Sequence, residues 1–298
     1  MIDGIGFVGF GEAAYHIAKG LRGAGLARTA AFDIHARTPG LGDKIRGRAL
    51  ETQTQLVDSN AALAAACDVI LSAVTADQAL IAAGQTAPHL TAHHFYADLN
   101  SVSPRTKQAI CAAIRGAGGR FVEAAMMAPV PPHGHQVPTL LGGDSAPAFL
   151  ALLQPFGVRM EVISTDQIGR AAAVKIFRSV VYKGLEALMF ECVLGASHYG
   201  AEPRVFASLN ESFPGVDFQK LADYMIGRVI VHGERRAREM EEAASTLREL
   251  GVEPWMTEAT VRRMDWAAGL DLRSHFGKEF PGSYRDVLSA IAAIGVKA

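Results

Sequence analysis

Hydrophobic and polar positions follow two regimes along this chain. Up to about residue 164, short β-type apolar runs are separated by alanine-rich stretches at helical spacing, the pattern of a parallel sheet with crossover helices. The strand-like runs are "GIGFVGF" (4 to 10), "TAAFDI" (29 to 34), "DVILSAV" (68 to 74), "HFYADL" (94 to 99), "RFVEAA" (120 to 125), "PTLLGG" (138 to 143) and "RMEVIS" (159 to 164). Beyond residue 165 the strand signals stop. Helical spacing continues to the end, broken at "YGAEP", "SFPGVD", "ELGVEP" and "EFPGS", where proline or glycine ends one helix and opens another. The expected architecture is an α/β domain with a doubly wound, mostly parallel sheet over 1–164, linked by a long helix to an all-α domain over 165–298.

That long helix begins at "GRAAAVKIFRSVVYKGLEAL" (169 to 188), which sorts into two faces on a helical wheel. Lys175, Arg178, Ser179, Tyr182 and Glu186 form a narrow polar stripe, and most other positions are apolar. Another helix opens at Ser103, a capping residue, with Pro104 at the first helical position, where its missing N–H is harmless.

"GFVGFGEAAYHIAKGL" supplies a phosphate-binding turn. Gly9, Gly11 and Ala14 form GxGxxA between a strand and a helix pattern. The first glycine permits the tight turn, the second admits a pyrophosphate, and the small third residue lets helix and strand pack closely. Asp33 ends the second strand, where a carboxylate accepts hydrogen bonds from an adenosine ribose and repels a 2′-phosphate. The turn therefore implies a Rossmann domain preferring NAD, although Arg37, four residues on, leaves NADP open. Gly9, Phe10, Gly11, Glu12, Ala13, Asp33, Arg37, Val74, Thr75 and Asn100 are the expected cofactor contacts.

Composition narrows the partners. The 298 residues are 49% hydrophobic and 20% charged with a net charge of −1, which argues against nucleic acid or an anionic membrane surface. No apolar run reaches the roughly 20 residues of a membrane span, and the start lacks signal-peptide features, so a cytoplasmic location is expected. Cys67, Cys111 and Cys192 lie far apart in apolar helical patterns and read as reduced thiols. His133 and His135 stand two apart in a proline-glycine loop without an acidic partner, so no metal site is expected.

Four segments in order resemble the β-hydroxyacid dehydrogenases, the family of 3-hydroxyisobutyrate and 6-phosphogluconate dehydrogenases. They are "IGFVGFGEAA", "DLNSVSP" (98 to 104), "GRAAAVKIFRS" (169 to 179) and "REMEEAASTLRELGVEP" (238 to 254). The resemblance implies a Rossmann domain, an all-helical domain, an active site in the cleft between them, and a homodimer whose helical domains pack together. It implies that Lys175, six residues after Gly169, is the catalytic lysine. Three departures mark a distinct, phosphogluconate dehydrogenase-like branch. Met127 in "AAMMAPVPPHGH" stands at a serine position, Arg178 and Ser179 replace asparagine or histidine, and Arg238 and Glu239 replace lysine and aspartate.

Oxidising an alcohol requires loss of the hydroxyl proton as hydride leaves carbon, and a lysine serves where burial and neighbouring cations disfavour its charged form. Lys175 sits on an apolar helix with Arg178 one turn away. The planar fork of Arg178 suits a carboxylate or phosphate, and Asn100 and Ser101 offer hydrogen bonds from their loop. With Met127, Ser179, Tyr182 and Arg238, these are the expected contacts to a small anionic hydroxy acid. His232, Arg235 and Arg236 lie close enough to Arg238 in sequence to be further candidates. The leading expectation is NAD(P)-dependent oxidation of a small 3-hydroxy acid. An NADPH-dependent carbonyl or imine reductase and a non-catalytic dinucleotide sensor are the alternatives.

Overall fold

The computed structural model describes Ile2, residues 4–277 and residues 279–295. Eight strands form one sheet: β1 (Gly4–Val8), β2 (Arg28–Phe32), β3 (Thr54–Leu56), β4 (Val69–Ser72), β5 (Phe95–Asp98), β6 (Arg120–Met126), β7 (Thr139–Gly142) and β8 (Met160–Ser164). Their order is β3-β2-β1-β4-β5-β6-β7-β8, parallel except where β6 meets β7. All seven strand-like runs are found. Only β3 lacks a sequence signal: "TQL" is an edge strand too short to show alternation, held partly by a Thr29–Thr54 hydroxyl contact of 2.8 Å.

Helices α1 (Glu12–Gly23), α2 (Leu41–Glu51), α3 (Asn60–Ala66), α4 (Ala79–Thr86), α5 (Pro104–Gly116) and α6 (Ala146–Leu153) accompany the sheet. Strands β1, β4 and β5 are buried along their whole length, as expected of parallel strands covered on both faces. One core layer gathers Ile5, Phe7, Leu21 and Phe149; the other gathers Ile70, Tyr96, Ile110 and Phe121. Strand order reverses at the β1/β4 boundary, and ligands of open α/β sheets bind outside the carboxyl ends of strands at such a point. Ser103 caps α5 through the Thr106 N–H at 3.1 Å, with Pro104 first in the helix.

The rest is helical: α7 (Arg170–Ser197), α8 (Glu202–Ser212), α9 (Phe218–Glu249), α10 (Trp255–Gly269), α11 (Leu272–Phe276) and α12 (Tyr284–Ala293). Phe190, Met225, Val229, Met264 and Val287 form its core. The chain divides into two compact units, Met1–Lys175 and Ile176–Ala298, so the division falls inside α7, after the expected 164/165 boundary. The reason is local: a buried residue of β6 binds the first turn of α7. Among the described residues no helix is long and apolar enough to cross a membrane.

The two faces of α7 are not partitioned as the wheel suggests. Glu186 is fully buried, while Phe177, Val181, Leu185 and Leu188 are exposed. An ion pair explains the inversion: Arg236 of α9 reaches Glu186 at 2.7 Å inside the helical unit.

Candidate active site

The glycine turn is built by close approach. Gly9 has φ +81°, and a Cβ there would lie 2.7 Å from both the Ala73 carbonyl oxygen and Val74 Cγ1, so only glycine fits between the ends of β1 and β4. A Cβ at Gly11 would instead meet nothing within 4 Å. Gly11 caps α1 without a side chain, which leaves Glu12 and Ala13 in a first turn whose N–H groups face no capping side chain. Asp33 accepts hydrogen bonds from the Phe10 N–H at 2.7 Å and the His35 N–H at 2.8 Å, which holds its carboxylate against the turn. A positive helix end, open space over Gly11 and a fixed carboxylate fit a dinucleotide. Arg37 is paired with Asp58 at 2.5 Å, both more than four-fifths exposed.

The loop after β5 is held by a buried network. Asn100 Oδ1 accepts the Val74 N–H at 2.7 Å, while its amide donates to Ser72 Oγ at 3.1 Å and to Asp98 Oδ1. Both amide hydrogens are therefore engaged within the protein, so Asn100 braces the loop and has no side-chain N–H left for a substrate. Asp98 is fully buried and paired with Lys107 at 2.6 Å, and Lys107 also donates to the carbonyls of Asp98 and Ala124 at 2.7 and 3.3 Å. Sequence reasoning missed this pair. Its signal was present, because Lys107 opens an otherwise apolar i, i+3, i+4, i+7 stripe with Ile110, Cys111 and Ile114.

Lys175 meets the neighbour of Asn100. Its Nζ donates to Ser101 Oγ at 2.5 Å on the solvent side of the loop. Gly9, Val74, Asn100, Ser101 and Lys175 thus form an unbroken line of contacts from the glycine turn to the lysine. Thr75 is exposed just beyond Val74. Met127, half-buried after β6, donates its N–H to the Pro138 carbonyl at 2.8 Å. In the following loop His133 is exposed and His135 packs against α1. A Cβ at Gly20 of α1 would lie 2.2 Å from the His135 ring, and His135 Nε2 contacts the Phe156 carbonyl at 3.0 Å.

In the helical unit the Arg178 guanidinium stacks over the Tyr182 ring at 5.3 Å, and the Tyr182 hydroxyl donates to Tyr224 at 3.2 Å. Ser179 is half-buried beside them in sequence. Arg238 is already engaged by Glu241 and Asp265. Arg235 pairs with Glu239, which also takes Lys183 at 2.5 Å, and Arg236 is the partner of buried Glu186.

His232 is edge-on to Phe280, and its pKa is pushed down to about 4 by burial and then by Arg235, Arg228, Arg236 and Arg273. The unfolded chain therefore binds a proton that the folded unit refuses. The stabilisation from a neutral His232 is complete above about pH 6.5 and is lost as pH falls toward 4. Wild-type Tm is expected to fall more than that of His232→Gln over this window; parallel Tm curves for the two would contradict the assignment.

Comparison with known proteins gives the context. A family model described as a domain of unknown function, DUF1932, matches residues 196–267. A conserved hypothetical protein from Sinorhizobium meliloti is 36% identical, with 98% of this chain and 97% of that one covered at a TM-score of 0.83. A conserved protein of unknown function, reported as structurally similar to 3-hydroxyacid dehydrogenases, is 30% identical over 89% of this chain and 97% of that one, with a TM-score of 0.76. The 3-hydroxyisobutyrate dehydrogenase of Mycobacterium tuberculosis, solved with L-serine, shares the fold at 15% identity and TM-score 0.68, covering 99% of this chain and 100% of that one. An imine reductase from Myxococcus stipitatus, solved with NADP+, shares it at 17% identity and TM-score 0.53, covering 89% of this chain and 94% of that one. Taken with the glycine turn and the helical second unit, the two relatives at 30% identity and above show that the chain belongs to the 3-hydroxyacid dehydrogenase-like family.

Proposed function

We propose that the protein is an NAD(P)-dependent oxidoreductase that oxidises a small anionic 3-hydroxy acid, or reduces the corresponding carbonyl compound, with Lys175 as general acid and base. The observation that carries this reading is the line of contacts from Gly9 through Val74, Asn100 and Ser101 to Lys175. It joins a dinucleotide turn to a proton-transfer group. Gly9 to Ala13, Asp33, Val74 and Thr75 would hold the cofactor, whose nicotinamide takes or gives the hydride when bound.

The work of the chain's own residues follows from their chemistry. In the oxidation, Lys175 Nζ removes the hydroxyl proton as the carbinol C–H bond breaks; in the reduction, its ammonium returns a proton to that oxygen. Ser101 Oγ holds the amine in place, and the Asn100 brace keeps Ser101 where the amine can reach it. One turn along α7, Arg178 with Ser179 and Tyr182 would bind the anionic end, and Met127 would supply an apolar contact in place of a hydroxyl. The same fold serves imine reductases, but a lysine at hydrogen-bond distance from the substrate loop suits O–H proton transfer better. A substrate panel containing hydroxy acids and cyclic imines tests the choice.

Asp33 supports NAD over NADP, because its fixed carboxylate would repel a 2′-phosphate. In Asp33→Ala the ratio of NADP to NAD dissociation constants is expected to fall by about tenfold; an unchanged ratio by calorimetric titration would remove Asp33 from that role. The exposed apolar residues Phe177, Val181, Leu185 and Leu188 of α7, with Met256 of α10, support a homodimer formed through the helical unit. Light scattering is expected to give twice the chain mass for wild type and the chain mass for Val181→Glu/Leu185→Glu; a monomeric wild type would refute it.

A further inference from the structure

Glu123 is a fully buried carboxylate at the middle of β6 that the proposed reaction does not use. Its two oxygens do separate jobs: Oε2 accepts the Gly169 N–H and Oε1 the Ala172 N–H, both at 2.7 Å. It thus caps the first turn of α7 from the sheet, where a negative charge also complements the helix dipole. Lys175 follows Ala172 by three residues, about 4.5 Å further along the helix axis.

Two further features bind the same turn. Gly169 has φ +100°, and a Cβ there would lie 2.9 Å from Pro104 Cβ, so the start of α7 rests on the first residue of α5. Gln108 donates to the Ile168 carbonyl at 3.2 Å. The loop carrying Ser101 enters α5 at that same Pro104 and is held from below by Asp98 and Lys107. Asp98 and Glu123 are direct neighbours in the β5–β6 register, one serving the loop and the other the helix.

Room for Glu123 is built into the sheet. Its cross-strand partner on β7 is Gly142, and a Cβ at Gly142 would stand 2.7 Å from Glu123 Oε2. A larger residue there would displace the cap.

We propose that Glu123 is the positioning residue for Lys175: by capping α7 from β6 it sets the height and rotation at which the lysine amine meets Ser101. For turnover, this rests on the reading of Lys175 as the proton-transfer group.

The test separates the two claims by probing the lysine without a substrate. Glu123→Gln keeps the shape but offers one acceptor oxygen instead of two, and Gly142→Ala displaces the carboxylate without altering it. Acylation of Lys175 by acetic anhydride at fixed pH is read by peptide mass spectrometry against exposed Lys44. Both variants are expected to raise relative Lys175 labelling by about fivefold as the Ser101 contact is released. On an accepted substrate, kcat is expected to fall by about tenfold while the cofactor KM stays within about twofold. Unchanged labelling in a folded variant, even with a lower Tm, overturns the proposal because Glu123 would then only stabilise the fold. Should Glu123→Gln not fold, Gly142→Ala decides. Increased labelling together with full turnover by Lys175→Ala would uphold positioning and defeat the proton-transfer reading.

Discussion

Replacing Lys175 with alanine is expected to lower kcat by about 10²- to 10⁴-fold, the span contributed by a positioned general acid or base. NADH affinity should stay within about twofold, because the expected cofactor contacts lie in the glycine turn, at Asp33, and in the loops after β4 and β5. Lys175 is tied instead to Ser101 by a 2.5 Å hydrogen bond. Stopped-flow hydride transfer and fluorescence titration of NADH separate the two quantities. A large loss of NADH affinity in the variant would place Lys175 in cofactor binding, and an undiminished rate would remove it from the chemistry. Lys175→Arg keeps the charge but releases its proton far less readily, so it should not restore the rate.

The second large effect concerns stability. Lys107→Met leaves Asp98 buried with its carboxylate uncompensated and should lower the unfolding free energy by about 3–5 kcal/mol. Asp98 would keep only its contact with the Asn100 amide, and Asn100 in turn holds the Val74 N–H. The disturbance should therefore reach the cofactor loop and weaken NADH binding as well. In Lys107→Met/Asp98→Asn the charge is gone from both sides, and most of the stability should return. Urea denaturation of the wild type, the single variant and the double variant measures this. A single variant within about 1 kcal/mol of wild type would mean that the pair is not a buried charge pair in solution.

The sheet was largely legible because its central strands β1, β4 and β5 are parallel and buried along their whole length, so they read as apolar runs between glycine and helical segments. Only β3 was hidden, since a three-residue edge strand has no room for a period. The glycine turn and Asp33 were legible because their chemistry is local: positive φ at Gly9 and a carboxylate at the end of β2. The supports of the site were not. Glu123 lies 46 residues from Gly169, and nothing in "RFVEAA" marks its glutamate as a helix cap, because that role exists only after β6 and α7 are brought together. The wheel of α7 misled for a similar reason. Glu186 reads as one member of the polar stripe with Lys175 and Arg178, and only Arg236, fifty residues on, shows that it is buried in an ion pair.

Asn100 has a side chain already committed within the protein. Its place after β5 suggested a substrate donor, yet both of its amide hydrogens are engaged by Asp98 and Ser72. Its side-chain oxygen holds the Val74 N–H instead.

If Lys175 moves the hydroxyl proton, hydride transfer from an alcohol depends on it. The most direct measurement is NADH formation by the wild type and Lys175→Ala across a panel of aliphatic, aromatic and phosphorylated hydroxy acids, with cyclic imines run in the reverse direction. Substrate-dependent NADH formation by the wild type is expected with at least one hydroxy acid, with loss of about 99% or more of that rate in Lys175→Ala. Tight NADH binding with no hydride transfer to or from any panel member, or a Lys175→Ala variant as fast as wild type, would contradict this expectation.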